Sequence, residues 1–297
     1  MSNQDTVKLT VGTRGSVLAL AQSKMLLGHI QAANPNVTFE IKTIKTSGDL
    51  GLIQEIGAWV KEVEHALING DIDLAVHSYK DMPVEQPDGL SVSCVPIRGE
   101  HRDCLVSRDN LSFKDLPMGA SIGTSSLRRS YQIKALRPDL NIVALHGNII
   151  TRMNKVSDGE LDAVVLALAG LNRVGMQDRA GYIFEIEEFL PAVAQGALAI
   201  ETRSDDTFTK EIVRKIHDIE TEIAVCAERE FLKAAGGGCR MPMASFARIV
   251  NDTIVLEGMY CNEDGSKMVK AQIQGPKHDA ASIGKALANE LLAKIKL

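Results

Sequence analysis

The sequence predicts an α/β protein of two similar lobes followed by a small α+β domain, and three observations carry that expectation. β-Rich runs alternate with longer helical patterns, one order of short motifs occurs twice, and the pattern changes character beyond about residue 219. The run KLTVGT (8–13) is a strand that leads into the helix VLALAQSKMLLGHIQAA (17–33). That helix meets Asn34-Pro35, where the proline ring disfavours helical geometry in the residue before it, and VTFEIKTI (37–44) then completes a βαβ unit. A helix over roughly 58–69 ends before Gly70, and DIDLAVHS (71–78) supplies a strand with the continuous apolar core of a buried parallel sheet.

From about residue 120 the pattern begins again with ASIGTSSLRR, a helix to Leu136, Arg137-Pro138, a strand in NIVALHG, a helix, and GELDAVVLALAG. Val11-Gly12-Thr13 matches Ile122-Gly123-Thr124, and Asn34-Pro35 matches Arg137-Pro138. Gly70-Asp71-Ile72-Asp73-Leu74-Ala75-Val76 matches Gly159-Glu160-Leu161-Asp162-Ala163-Val164-Val165. Three matches in one order imply two similar lobes, with a cleft between them as the expected binding place. The tail is different: a helix over 220–234 runs into Gly236-Gly237-Gly238, and SFARIV, TIVLEGMYC and KMVKAQIQG read as antiparallel strands before a final helix.

Composition narrows the function. A chain of 297 residues, 45% hydrophobic, holds two or three cores, and a net charge of -5 leaves no broad basic footprint for nucleic acid. No apolar run is long enough to span a bilayer, and the first residues lack a secretory pattern, so the expectation is a cytoplasmic protein without a membrane partner. The five cysteines, Cys94, Cys104, Cys226, Cys239 and Cys261, form no CxxC pair, which argues against a disulfide framework and a metal site.

In open parallel sheets, ligands bind beyond the carboxyl ends of the strands, against helix N-termini whose unpaired N–H groups attract anions. Thr13, Arg14 and Ser16 follow the first strand, and His77, Ser78, Lys80 and Asp81 follow DIDLAV. Thr124, Ser125, Ser126, Arg128 and Arg129 follow ASIG, with Ser125 or Ser126 placed to cap the helix and both arginines in its first turn. His146, Asn148, Thr151 and Arg152 follow NIVAL, and Arg173 follows DAVVLALAG. Six strong cations in such positions suit a ligand with several carboxylates or phosphates, because the arginine fork binds carboxylate in bidentate fashion. Asp81, an acid among those cations, is suited to stabilise positive charge developing on a substrate. Cys239, after three glycines and before Arg240, is expected to be exposed and thiolate-prone.

The runs VGTRGSVLALAQ, DLAVHSYKDMP, IGTSSLRR, HGNIITR, LALAGLNRVG, PAVAQGALAIE and GGGCRMP, in this order, resemble the porphobilinogen deaminase (hydroxymethylbilane synthase) family over nearly the whole chain. The resemblance implies two lobes like those of type II periplasmic binding proteins and a third domain whose cysteine, here Cys239, carries a dipyrromethane cofactor through a thioether. The expected lobes are 1–97 with 196–216, then 98–195, and the third domain is 217–297. It further implies stepwise condensation of four porphobilinogen molecules, with loss of ammonia, to a linear tetrapyrrole in haem biosynthesis. Nothing in the sequence suggests an obligate assembly surface, so a monomer is expected. By similarity, Lys80, Asp81, Ser126, Arg128 and Arg129 hold the cofactor. Arg14, Ser16, His77, Ser78, His146, Arg152, Arg173 and Gln195 contact substrate carboxylates, and Asp81 is catalytic.

Three positions depart from the family pattern. His146 stands where the family has arginine, exchanging a permanent cation for a group that titrates near neutral pH. Gln54-Glu55-Ile56-Gly57-Ala58-Trp59 replaces a lysine-bearing loop, and Ala194 replaces a glycine. These departures leave two alternatives beside the working enzyme: a relative stalled in elongation, or a non-catalytic binder of a polycarboxylate pyrrole.

Overall fold

The structure, a computed structural model, describes residues 6–47, 59–237 and 242–296. In chain order the first elements are β1 (Val7–Arg14), α1 (Val17–Ala33), β2 (Val37–Ile44), α2 (Lys61–Ile68), β3 (Leu74–Ser78) and β4 (Leu90–Cys94). Then come β5 (Asp103–Ser107), β6 (Ser121–Gly123), α3 (Leu127–Leu136), β7 (Asn141–Val143), α4 (Ile149–Ser157), β8 (Ala163–Ala167), α5 (Leu168–Arg173) and β9 (Tyr182–Ile183). The chain continues through β10 (Leu198–Arg203), α6 (Thr207–Arg214), α7 (Ile219–Ala234), β11 (Met243–Val250), β12 (Thr253–Cys261), β13 (Met268–Pro276) and α8 (Ala280–Lys296). Two compact bodies result, Met1–Arg98 with Ala197–Glu222, and Gly99–Gly196 with Ile223–Leu297.

The first body is built on a sheet of order β2-β1-β3-β10-β4, and the second contains one of order β7-β6-β8-β5-β9. In both, the first three strands are parallel and the fourth is antiparallel. The two sheets are therefore the same design, and the repeated motifs occupy equivalent places in it. Gly12 and Gly123 each sit where a Cβ would strike the next loop's apolar side chain, Ile72 in one body and Leu161 in the other. Asp73 accepts the Thr10 N–H at 2.8 Å, and Asp162 accepts the Ser121 N–H at 2.8 Å, so each acid ties the start of the third strand to the first. The helices before Pro35 and Pro138 close with nearly identical backbone, φ -138 and ψ 78 at Asn34 and φ -140 and ψ 82 at Arg137.

Both sheets are covered on both faces, which is why their strands read as continuous apolar runs. In the first body Leu26, Ile30 and Val213 from α1 and α6 pack on Leu9, Val11, Leu74 and Ile200, while Val63 and Leu67 from α2 pack on Ala75 of the opposite face. In the second, Ile133 of α3 packs with Ile122 and Val165, and Met153 and Val156 of α4 pack with Val164 and Val106. Each such buried aliphatic side chain contributes about 1.5–3 kcal/mol. The tail forms the antiparallel sheet β11-β12-β13, covered by Ile283, Leu287 and Leu291 of α8. Ala244, Phe246 and Met259 of that sheet pack on Ile186 and Leu190, so the tail shares one compact body with residues 99–196.

Sequence patterning did not reveal β4, β5, β10 or α6. NIVALHG contributes only three strand residues, and GELDAVVLALAG divides into β8 and α5, so Arg173 closes a short helix instead of following a strand. The antiparallel β5 and β10 lie where the chain enters and leaves residues 99–196, and each pairs with a strand remote in sequence.

Candidate active site

In the first body the carboxyl ends of β1 and β3 open onto a small pocket that reaches solvent. Thr13, Arg14, Gln22, Trp59, His77, Ser78 and Asp81 line it. A parallel sheet delivers the last residues of adjacent strands to one edge, which places Arg14 beside His77 and Ser78. A 3-10 turn, Tyr79–Asp81, follows β3 at once and carries Lys80 and Asp81. The Arg14 guanidinium lies 4.2 Å from the centre of the Trp59 ring, a cation–π contact that orients the charge. Ser78 Oγ exchanges hydrogen bonds with the Gln22 amide at 2.9 and 3.2 Å. Ser16 has a different job: its Oγ accepts the Ala19 N–H at 3.2 Å and caps α1.

Behind the pocket wall, His77 Nε2 lies 3.1 Å from Glu201 Oε2 of β10, with both side chains buried. Glu64 of α2 is buried near them. Burial first, then the Glu201 charge, pushes the Glu64 carboxyl up to about 7, against the opposing pull of His77.

In the second body Ser126 caps α3 by accepting the Arg129 N–H at 3.4 Å, while Ser125 Oγ accepts the Leu145 N–H at 2.9 Å and lies 3.2 Å from the exposed His146 ring. Arg128 and Arg129 lie in the first turn of α3 as expected, and each is only 6% exposed. Both close on Asp103 of β5: Arg128 Nη1 lies 2.7 Å from Oδ2, and Arg129 Nη2 and Nε lie 2.6 and 3.0 Å from Oδ1. They also donate to the Leu190 and Val165 carbonyls. Burial lowers the Arg128 guanidinium and Asp103 holds it up. Arg152 donates to the Gly147 carbonyl at 2.7 Å. Arg173 donates to the Gly196 carbonyl at 2.6 Å, and burial brings its guanidinium down to about 10. Gln195 is fully buried and donates to the His101 carbonyl at 2.8 Å.

The turn bearing Gln195 is held by Glu228 of α7, whose two carboxylate oxygens accept the N–H groups of Ala194 and Ala247 at 2.6 and 2.9 Å. Ala194 has φ 58, so the residue that departs from the family's glycine occupies the left-handed region, at a cost of about 1–2 kcal/mol for an L side chain. Cys239, Arg240 and the altered loop residues Gln54 to Ala58 lie outside the described residues. Cys94 and Cys104 are buried thiols, pushed up to about 12 chiefly by desolvation, which makes them poor nucleophiles.

Four contributors escaped the sequence reading as site residues: Gln22, Glu64, Asp103 and Glu201. Gln22 did leave a signal. It shares the buried face of α1 with Leu26 and Ile30 at a spacing of four, so it is a polar group on an apolar stripe. Asp103 and Glu201 lie on the unread strands β5 and β10 and had no such context.

The sequence matches two family models, the porphobilinogen deaminase dipyromethane cofactor binding domain over residues 9–211 and the porphobilinogen deaminase C-terminal domain over residues 222–293. Porphobilinogen deaminase of Syntrophobacter fumaroxidans is 42% identical over 290 residues, covering 96% of this chain and 94% of the relative. That of Geobacter metallireducens is 44% identical, covering 96% and 92%, and that of Maridesulfovibrio salexigens 45%, covering 96% and 95%. Among solved structures, a YaeC-family lipoprotein from Enterococcus faecalis superposes with a TM-score of 0.43 at 15% identity, covering 78% of this chain and 98% of that one. Matched at both domains and over nearly its whole length, the chain belongs to the porphobilinogen deaminase family.

Proposed function

We propose that this chain is a porphobilinogen deaminase, joining four porphobilinogen molecules with loss of ammonia into the linear tetrapyrrole hydroxymethylbilane. The observation that carries the reading is the first-body pocket, where one carboxylate, Asp81, shares a wall with Arg14, His77 and Ser78. Porphobilinogen brings one acetate and one propionate, which call for cations and hydroxyl donors, and an aminomethyl group and pyrrole N–H, which call for an acceptor. The pocket has both kinds of group. Arg14 takes a substrate carboxylate, and Asp81 faces the pyrrole N–H and the amine. As the C–N bond breaks and ammonia leaves, positive charge spreads onto the pyrrole nitrogen, where a fixed carboxylate in a partly desolvated pocket stabilises it.

The dipyrromethane cofactor of the family fits a surface rich in donors. Cys239 would hold it by a thioether, and Lys80, Asp81, Ser126, Arg128 and Arg129 remain its proposed contacts. When bound, it supplies the first pyrrole carbon to which substrate is added. Arg128 and Arg129 already grip Asp103, so their contribution includes fixing the start of α3, from which Ser126 projects. Ser16, Ser78, His146, Arg152, Arg173 and Gln195 remain the proposed carboxylate contacts and their supports. The net charge of -5 supports a small anionic partner held by local cations, without nucleic acid, and the same reading makes the chain a cytoplasmic monomer. No helix among the described residues is long and apolar enough to cross a membrane.

The test is direct. Purified protein incubated with porphobilinogen releases ammonia and hydroxymethylbilane, and its intact mass exceeds that of the polypeptide by two pyrrole rings. Cys239→Ser abolishes both. Protein with neither product nor adduct at any pH would refute the proposal.

A further inference from the structure

Three titratable groups are buried behind the first-body pocket: Glu64, His77 and Glu201. We propose that His77 is the proton acceptor of each condensation, that Glu201 positions it, and that Glu64 and Glu201 hold a single proton between them. This rests on the deaminase reading and assigns a chemical role to a wall so far treated as a carboxylate contact.

Three elements bring the groups together: α2 supplies Glu64, β3 supplies His77 and β10 supplies Glu201. Glu201 is fully buried and Glu64 is 5% exposed. Glu64 Oε1 and Glu201 Oε1 find no hydrogen-bond partner among the described residues. Ionising both carboxylates in that state is costly, because each would bear an uncompensated buried charge near its like. One retained proton removes the repulsion, and the position of the Glu64 carboxyl, raised to about 7 by burial and by Glu201, agrees with it.

Other charges on this face are committed elsewhere. Arg203 of β10 donates to the carbonyls of Leu67 and Ile72 and pairs with Asp73 and Asp206. Glu62 of α2 accepts the Ser47 N–H, and Arg14 of β1 lies over Trp59. Val92 of β4, opposite Glu201, brings no charge. His77 is thus the basic group set against the two acids. With Glu201 Oε2 accepting the His77 Nε2–H, the tautomer is fixed and Nδ1 keeps its lone pair.

The reaction needs such a group. In each condensation the C–N bond of the aminomethyl group breaks and its electron pair leaves with ammonia. The attacking pyrrole carbon forms the new C–C bond and must then lose its proton to restore aromaticity. His77 takes that proton, the Glu201 charge stabilises the imidazolium, and the proton is returned to water, where the released ammonia binds it. Asp81 remains free to stabilise charge on the pyrrole nitrogen. When Glu64 ionises, a second buried negative charge holds the imidazolium proton and slows its return.

The experiment uses holoenzyme and porphobilinogen, with kcat and KM measured from pH 6 to 9 for the native chain, Glu64→Gln, Glu201→Gln and His77→Gln. His77→Gln and Glu201→Gln lower kcat on the order of 100-fold with KM nearly unchanged, the range expected for loss of proton transfer. The native profile declines through an inflection near neutral pH that Glu64→Gln lacks. Infrared difference spectra of the native holoenzyme without substrate show the carbonyl stretch of a protonated carboxyl at pH 6, absent in Glu64→Gln; this isosteric variant carries the test if Glu201→Gln does not fold. A rise in KM with kcat intact in His77→Gln, or identical pH profiles for the native chain and Glu64→Gln, would overturn the inference while product formation leaves the deaminase reading standing.

Discussion

Replacing Asp103 by asparagine tests whether the paired arginines of the GTSSLRRS segment are scaffold as well as ligand. Asp103 is fully buried and receives three guanidinium contacts of 2.6 to 3.0 Å from Arg128 and Arg129, themselves 6% exposed. Asparagine keeps the shape and removes the carboxylate that, among the described residues, balances two adjacent buried cations. Breaking a buried ion pair from one side costs about 3–5 kcal/mol, because the remaining charge is left uncompensated. Two cations share this carboxylate, so the upper part of that range is the expectation. Urea unfolding followed by circular dichroism measures the loss, and hydrogen exchange localises it to α3 and β5. Adding Arg129→Gln to Asp103→Asn removes one of the stranded charges and restores about 1 kcal/mol or more, as expected for directly coupled sites. A loss below about 1 kcal/mol for Asp103→Asn, or no recovery in the double variant, would show that the two arginines do not depend on Asp103 for compensation.

Glu64 makes stability depend on pH. Its carboxyl is raised from 4.5 to about 7, so the folded chain binds more protons than the unfolded chain between those values, and stability falls as pH rises through that window by about 3 kcal/mol. Glu64→Gln lacks that component, which unfolding at pH 5 and pH 8 would reveal as a flatter dependence; equal slopes would contradict it. Gly196 has φ 88, and a Cβ there would lie 2.7 Å from the carbonyl oxygens of Gly99 and Glu100, so Gly196→Ala destabilises by at least about 2 kcal/mol and weakens substrate binding through Arg173, which donates to the Gly196 carbonyl. Thermal melting and KM report the two effects. His146→Arg restores a permanent cation at an exposed position beside Ser125 and speeds elongation by about tenfold, the worth of one charge-assisted hydrogen bond in the transition state; unchanged turnover would show that His146 does not touch substrate.

The repeat was legible because its physical causes recur in the residues. Gly12 and Gly123 make room for Ile72 and Leu161, and Asp73 and Asp162 fasten the same strand junction, so sequence matches predicted a common topology. Arg14, His77, Ser78 and Asp81 were legible for a related reason, since residues just past adjacent parallel strands must emerge at one edge. The hidden part was supplied by strands whose partners are far along the chain. β5 brings Asp103 to the arginines and β10 brings Glu201 to His77, and no local period announces either contact. An arginine that looks free in sequence can therefore be fully engaged by an acid on an unread strand.

The fourth strand of the first sheet has a consequence for biosynthesis. Because β10 begins at Leu198 and separates β3 from β4, a ribosome must deliver the whole of β5 to β9 before the amino-terminal sheet can be closed. The sheet made later is thus complete earlier, and the nascent amino-terminal strands wait with their β10-facing edges unpaired, a state that favours aggregation. Chaperone dependence should accordingly end when the segment through Arg214 clears the exit tunnel, and arrested chains of graded length probed by protease would show the amino-terminal half gaining resistance only at that point.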